Sequence, residues 1–221
     1  LKNFVANGVP CLGVEPTDST AAAAEAIGVP VAREFFGQDF AGKLVKSGKQ
    51  ADLIIGNNVY AHVPDINDFT AGMKTALKPG GTITLEFPHL MSLMRLNQFD
   101  TVYHEHYSYL SLQSVKAVFT KAGLRVCDVE QIPTHGGSLR VYGCHADDRR
   151  ADGAAVARVL AEEISSGLQD LAVYQRFQLE ADKVKNNLLA FLIEASKAGK
   201  TVAAYGAAAK GNTLMNYAGV K

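Results

Sequence analysis

Much that would readily give away a function is missing from this sequence. There are three cysteines, Cys11, Cys127 and Cys144, an odd number with no Cys-x-x-Cys spacing. A disulfide framework and a thiolate zinc cluster are both excluded as expectations, and a reducing compartment fits. Charge of one sign is also lacking, since 22 Lys plus Arg balance 22 Asp plus Glu. Attraction to nucleic acid or anionic membrane by bulk charge is therefore not expected, although a local basic pocket stays open. The longest strongly apolar run, Leu188 to Ile193, is far short of the about 20 residues a membrane span needs. The opening Leu1-Lys-Asn-Phe4 has no charged head, long apolar run or small-residue cleavage site, so no secretory leader is read there. Internal repeats, low-complexity tracts, GxGxxG and HExxH are all absent. A cytoplasmic protein is expected, with no nucleic-acid or membrane partner and no metal site of its own.

What is present is ordinary for a globular chain: 48% apolar and 20% charged residues over 221 positions. At roughly 150 residues per domain, that allows one large domain or two small ones. The chain starts at Leu1 rather than Met and stops two residues after Gly219, so a piece of a longer protein is expected.

The first two-thirds alternates strand and helix signals. Cys11 to Glu15 is a short apolar run ending in an acid, and Thr17 or Asp18 can cap the Ala-rich stretch Ser19 to Ile27. Val29 to Ala32 reads as a short strand, Asp39 to Lys46 as a helix and Ala51 to Gly56 as a buried strand. Ile66, Phe69, Met73, Ala76 and Leu77 have helical spacing, and Gly81 to Phe87 alternates as a strand. Such alternation points to a mostly parallel sheet flanked by helices. An irregular aromatic stretch, Pro88 to Leu110, precedes a helix capped by Ser111 and ending near Ala122. Leu124 to Ile132 and Ser138 to His145 read as strands whose short link makes them antiparallel. Ala154 to Ala198 is helical, split at Ser165-Ser-Gly167. Lys200 to Gly206 reads as a strand, with a helix starting at about Thr213.

Several residues can carry chemistry. Glu15 ends a strand, where an acid in a doubly wound fold can accept hydrogen bonds from ribose hydroxyls; a solvated acid in a turn is the alternative. Asn57 and Asn58 follow the strand Ala51 to Gly56, either beside a ligand or in a polar turn. His62 lies four residues further on. Tyr103-His-Glu-His106 is the densest polar cluster. Histidine is the usual base near neutral pH, and a neighbouring carboxylate such as Glu105 can orient it. A metal is a poorer match, because His104 and His106 lack a third ligand. Thr134-His-Gly-Gly-Ser138 with Arg140 reads either as a backbone-donor turn near an anion or as a plain chain reversal. Gly206 to Thr213 contains Lys210 in the order Lys-Gly, which is not the Gly-Lys-Ser/Thr of a phosphate loop.

Together these segments resemble a known family. Gly13-Val-Glu-Pro, Asp52-Leu-Ile-Ile-Gly-Asn-Asn58 and Leu77-Lys-Pro-Gly-Gly-Thr-Ile-Thr-Leu-Glu86 resemble the later motifs of class I methyltransferases that use S-adenosylmethionine. Tyr103-His-Glu-His-Tyr-Ser-Tyr-Leu-Ser111, Thr134-His-Gly-Gly-Ser-Leu-Arg-Val-Tyr142 and Tyr205-Gly-Ala-Ala-Ala-Lys-Gly-Asn-Thr213 resemble the sugar-nucleotide C-methyltransferases. Those enzymes methylate C3 of dTDP-linked 4-keto-deoxyhexoses. The resemblance implies an α/β, Rossmann-like methyltransferase core over residues 1–148, without the first strand and Gly-rich loop. A helical connector over 149–199 and the start of a second α/β domain over 200–221 would follow. It implies S-adenosylmethionine as cofactor, with zinc only in an N-terminal module outside this chain.

By the same resemblance His106 is the general base, Glu105 its polar neighbour, Tyr103 an active-site contact, and His62 lines the pocket. Glu15, Asn57 and Asn58 hold or flank the cofactor. Arg140 and Lys210 serve the nucleotide diphosphate, and Glu15, Asn57, His62 and Tyr103–His106 are expected to share one cleft. The implied substrate is a small nucleotide-linked keto-deoxysugar, with a ketone that acidifies the neighbouring C–H. Three alternatives stand beside this reading: another small-molecule methyltransferase, an NAD-dependent dehydrogenase, and a non-catalytic nucleotide-binding module.

Overall fold

The computed structural model describes residues 1–206 and 209–220. In chain order the elements are α1 (Lys2–Ala6), β1 (Gly13–Val14), α2 (Asp18–Glu25), β2 (Val31–Ala32), α3 (Gln38–Lys46), β3 (Ala51–Asn57) and α4 (Ile66–Ala76). Then come β4 (Leu77–Pro88), α5 (Leu90–Arg95), α6 (Leu112–Lys121), β5 (Leu124–Ile132), β6 (Ser138–His145), α7 (Ala154–Ser165), α8 (Leu171–Lys197) and α9 (Ala209–Ala218). Short 3-10 turns cover Tyr60–His62, Phe99–Thr101 and Thr134–Gly136.

Local chemistry explains several boundaries. Asp65 caps α4, its carboxylate accepting from the Asn67 and Asp68 amides at 3.0 Å each. Ser111 caps α6 in a reciprocal box with Ser114. The helix then turns Leu112, Val115 and Phe119 inward at the spacing of one helical face. In β4, alternation sends Ile83, Leu85 and Phe87 to one side, where all three are buried. They meet Tyr60, Met73, Phe119, Leu139 and Val141 in one core.

Strands β3, β4, β6 and β5 form a four-stranded sheet in that order. Pairing is parallel for β3–β4 and antiparallel for β4–β6 and β5–β6, the last as the short link between those strands predicts. Strands β1 and β2 pair in parallel in a sheet of their own. The expectation that one mostly parallel sheet holds Cys11–Glu15 together with Ala51–Gly56 and Thr82–Phe87 is therefore corrected. Among the described residues neither β1 nor β2 pairs with β3, so the ladder does not run across. One edge of β3 is open in consequence, with Leu53 and Ile55 43% and 42% exposed.

Residues 201–206 form no strand, contrary to expectation. Among the described residues no strand pairs with them, and Val202 and Tyr205 are exposed. Ala207, Ala208 and Lys221 lie outside the described residues, so the stretch Gly206–Thr213 is described only in part. Its helix already includes Ala209, ahead of the expected start near Thr213.

The helical stretch divides near Gly167, as its sequence predicts. The first part, α7, packs against β5 and α6 and contributes Val156 and Val159 to the core. Glu163 of α7 is completely buried. Its carboxylate accepts from the Leu112 and Gln113 amides at 2.5 and 3.0 Å, and from Nε2–H of buried His89 at 2.8 Å. An acid from α7 thus satisfies the orphan N–H groups at the start of α6. The longer α8 is largely exposed, and among the described residues no helix is long and apolar enough to cross a membrane.

Candidate active site

The polar cluster forms where three segments meet beyond the carboxyl end of β4. The Tyr60–His62 turn follows β3 and brings its Ala61 carbonyl to the loop at 103–109. The Tyr107 and Ser108 amides donate to that carbonyl at 2.9 and 3.2 Å. These bonds draw His62 and His106 together, with ring centroids 4.7 Å apart. The Tyr103 ring also lies 4.7 Å from His106, tilted by 31°, and Tyr109 meets it edge-on at 5.8 Å.

Both histidines are fixed in one tautomer. His106 Nδ1 lies 3.0 Å from the Thr101 carbonyl oxygen, and His62 Nδ1 lies 2.9 Å from the Glu105 carbonyl oxygen. A carbonyl only accepts, so each Nδ1 carries a proton, which in a neutral imidazole leaves Nε2 as the acceptor. Burial holds the His106 pKa below the usual histidine value, and the neighbouring His62 pushes the same way. The Thr101 bond and the Glu105 charge oppose this without reversing it. The imidazole is accordingly neutral and proton-accepting at pH 7.

Glu105 plays a different part from the one expected. Its side chain is exposed, and its backbone carbonyl orients His62 rather than its carboxylate orienting His106. Thr101, which the sequence did not single out, performs that service for His106. Behind the ring is a hollow of about 10 Å³ lined by Ala61, Leu90, Leu93 and Tyr109, room for about one water at most.

The other expected residues divide. Lys210, on α9, is a cation whose charge pushes the His106 pKa down, and among the described residues no hydrogen bond or ion pair ties it to the histidines. Glu15 turns one carboxylate oxygen onto the Thr17 amide at 2.8 Å. Asn57 is exposed at the end of β3, and Asn58 adopts a left-handed backbone with φ 54°, its amide donating to the Glu86 carbonyl at 2.8 Å. Among the described residues none of these three contacts the histidine cluster. His104 is exposed and also outside it.

Arg140 corrects its expected role as a diphosphate contact. Strand register aligns Asn57, Glu86, Arg140 and Glu130 in one row across the sheet. The Arg140 guanidinium is 3.0 Å from buried Glu86 and 3.6 Å from Glu130. Thr134 donates to the other Glu86 oxygen at 3.0 Å. Two carboxylates already engage this cation, and a phosphate would have to displace them.

The glycines of Thr134–Ser138 answer a second open question. A Cβ on Gly136 would strike the Gln98 amide, and one on Gly137 would lie 2.7 Å from Ser92. Both also have positive φ. The two glycines let this turn press onto the segment that carries Thr101, with Gln98 Nε2 donating to the Gly136 carbonyl at 3.1 Å.

Comparison with known proteins identifies the family. The family described as "Methyltransferase domain" matches residues 1–129. The chain belongs to the methyltransferase-domain family. Beyond this methyltransferase domain, the family described as "C-methyltransferase C-terminal domain" matches residues 133–221. The chain is 35% identical over 220 residues to C-methyltransferase NovU of Streptomyces niveus, covering 100% of this chain and 52% of that protein. It thus spans about half the length of the curated relative it matches. Among solved structures, a SAM-dependent methyltransferase from Archaeoglobus fulgidus is 14% identical, with a TM-score of 0.49, over 64% of this chain and 79% of that one. A possible histamine N-methyltransferase from Thermotoga maritima is 16% identical, with a TM-score of 0.48, over 65% and 76%.

Proposed function

We propose that the protein to which this chain belongs is a cytoplasmic S-adenosylmethionine-dependent C-methyltransferase acting on a nucleotide-linked keto-deoxysugar, with His106 as its general base. The observation that carries the reading is the bond from His106 Nδ1–H to the Thr101 carbonyl, which leaves Nε2 as a fixed acceptor on a neutral ring. Carbon methylation needs such a base, because a C–H bond must be broken before the carbon becomes a nucleophile. The named activity of the relative and the C-methyltransferase family match point the same way.

The residues at the strand ends fit the adenosine half of the cofactor. Glu15 is half-exposed beyond β1, and only one of its carboxylate oxygens is engaged among the described residues. The other is a suitable acceptor for a ribose hydroxyl. Exposed Asn57 and Asn58 offer amides at the end of β3. When bound, the cofactor supplies an electrophilic sulfonium methyl.

The remaining chemistry falls to the chain. A ketone at C4 acidifies the proton at C3, and His106 Nε2 accepts it, giving an enediolate. The Tyr103 hydroxyl, next to that base, is suited to donate to the developing oxyanion, and His62 Nε2 is a second acceptor beside it. Lys210 supplies a cation for the oxyanion or the diphosphate, and Arg140 is left out for the reason given above. Incubating the full-length protein with labelled cofactor and a dTDP-linked 4-keto-deoxyhexose tests the reading. Label on sugar carbon supports it, and label on oxygen or nitrogen, or none, contradicts it.

A further inference from the structure

The 3-10 turn Phe99–Thr101 is a junction. Its Thr101 carbonyl fixes the His106 tautomer at 3.0 Å. Thr101 itself is buried, and both its amide and its hydroxyl donate to the Gln98 carbonyl, at 3.0 and 2.8 Å. The turn is therefore a closed unit that moves as one piece.

Two outside contacts hold it. On one side Gln98 is latched to the Gly136 carbonyl at 3.1 Å. On the other, the Phe99 ring meets the Tyr217 ring of α9, with centroids 5.3 Å apart and planes at 57°. Tyr217 is itself fastened to α8. Its hydroxyl donates to Asp182 at 2.6 Å and accepts from Gln178 at 2.7 Å, and the Lys185 ammonium lies 5.4 Å from its ring centroid. Asn97, just before the turn, donates to the Glu180 carbonyl of α8 at 3.1 Å.

We propose that Phe99 is a positioning residue for His106, through which docking of the C-terminal helix α9, by way of Tyr217, sets the orientation of the imidazole. The coupling runs from the Tyr217 ring to the Phe99 ring, along two residues of backbone to the Thr101 carbonyl, and across one hydrogen bond to His106 Nδ1. It makes the C-terminal unit part of the machinery that readies the base, in addition to any contact it makes with substrate. The inference rests on the proposed function only in treating His106 as that base. A second feature agrees: Lys210 on the same helix is near enough to bias the charge of His106.

The test is 15N NMR of the His106 ring in the full-length protein, which needs no substrate. The intact chain should show one tautomer, with Nδ1 protonated. Phe99→Ala and Tyr217→Ala should each give a mixture of tautomers. Tyr217→Phe keeps the ring on Phe99 and should retain the single form. In the full-length protein, Tyr217→Ala should lower kcat by about 10–100-fold at unchanged KM for the methyl donor. Should Phe99→Ala fail to fold, Tyr217→Ala decides alone, since that ring is only partly buried. A single unchanged tautomer in the alanine variants that fold overturns the proposal. If His106→Asn leaves turnover intact, the base assignment fails, yet the tautomer measurement still decides this inference.

Discussion

His62 and His106 stand ring beside ring, 4.7 Å between centroids, each with Nδ1–H committed to a backbone carbonyl. At that distance His62 adds to the burial that lowers the His106 pKa. The arrangement favours one acceptor held ready and a second group able to share the proton.

A pH prediction follows. The His106 pKa lies below the ordinary value near 6.5. The neutral, active form therefore persists as pH falls through that value, and the acid limb of kcat/KM should fall below it. The same shift means that folding loses stability from this group as pH drops from its unfolded pKa toward its folded one. Lys210→Met removes a like charge and should raise the His106 pKa. An NMR titration of the ring in both proteins checks the direction.

The buried pair His89–Glu163 should matter more to folding than any surface ion pair. Glu163→Leu leaves His89 and two amides of α6 without their acceptor. A loss of about 3–5 kcal/mol is expected, measurable by urea unfolding. The double variant with His89→Leu should recover part of it, because the stranded imidazole is gone.

Gly136→Ala should destabilise by about 1–3 kcal/mol, since it adds a strained positive φ to a clash with Gln98. Thermal unfolding measures the cost. Gly80→Ala is a useful control, because it has the same strained backbone, φ 76°, with nothing within 4 Å of the added carbon.

The sequence was most legible where local rules decide the outcome. The strands Leu124–Ile132 and Ser138–His145 coincide with their predicted limits, because alternation and a short Pro- and Gly-bearing link leave little choice. Ser111 caps its helix, and the break near Gly167 falls where small residues interrupt the apolar periodicity. Legibility failed where partners are distant. Residues 201–206 have strand composition, but a strand needs a neighbour. The short helix α5 is hidden in an aromatic stretch, too brief to show a period. Nothing in the chain announces that Glu163 would reach His89, or that the carbonyl of Thr101 rather than the carboxylate of Glu105 would orient the base. Histidine density marked the site; backbone geometry, which has no signature in composition, set the roles.

Proton removal by His106 is the step on which the proposed reaction turns. The measurement is exchange of the sugar C3 proton with deuterated solvent, followed together with methyl transfer, in the full-length protein and its His106→Asn variant. Asparagine keeps roughly the size and cannot titrate. Loss of a general base typically costs about 10²–10⁴ in rate. Both exchange and methyl transfer should fall by that order while the fold and cofactor affinity hold. Near-normal exchange and transfer in the variant would contradict the account and move the base to His62 or Glu105.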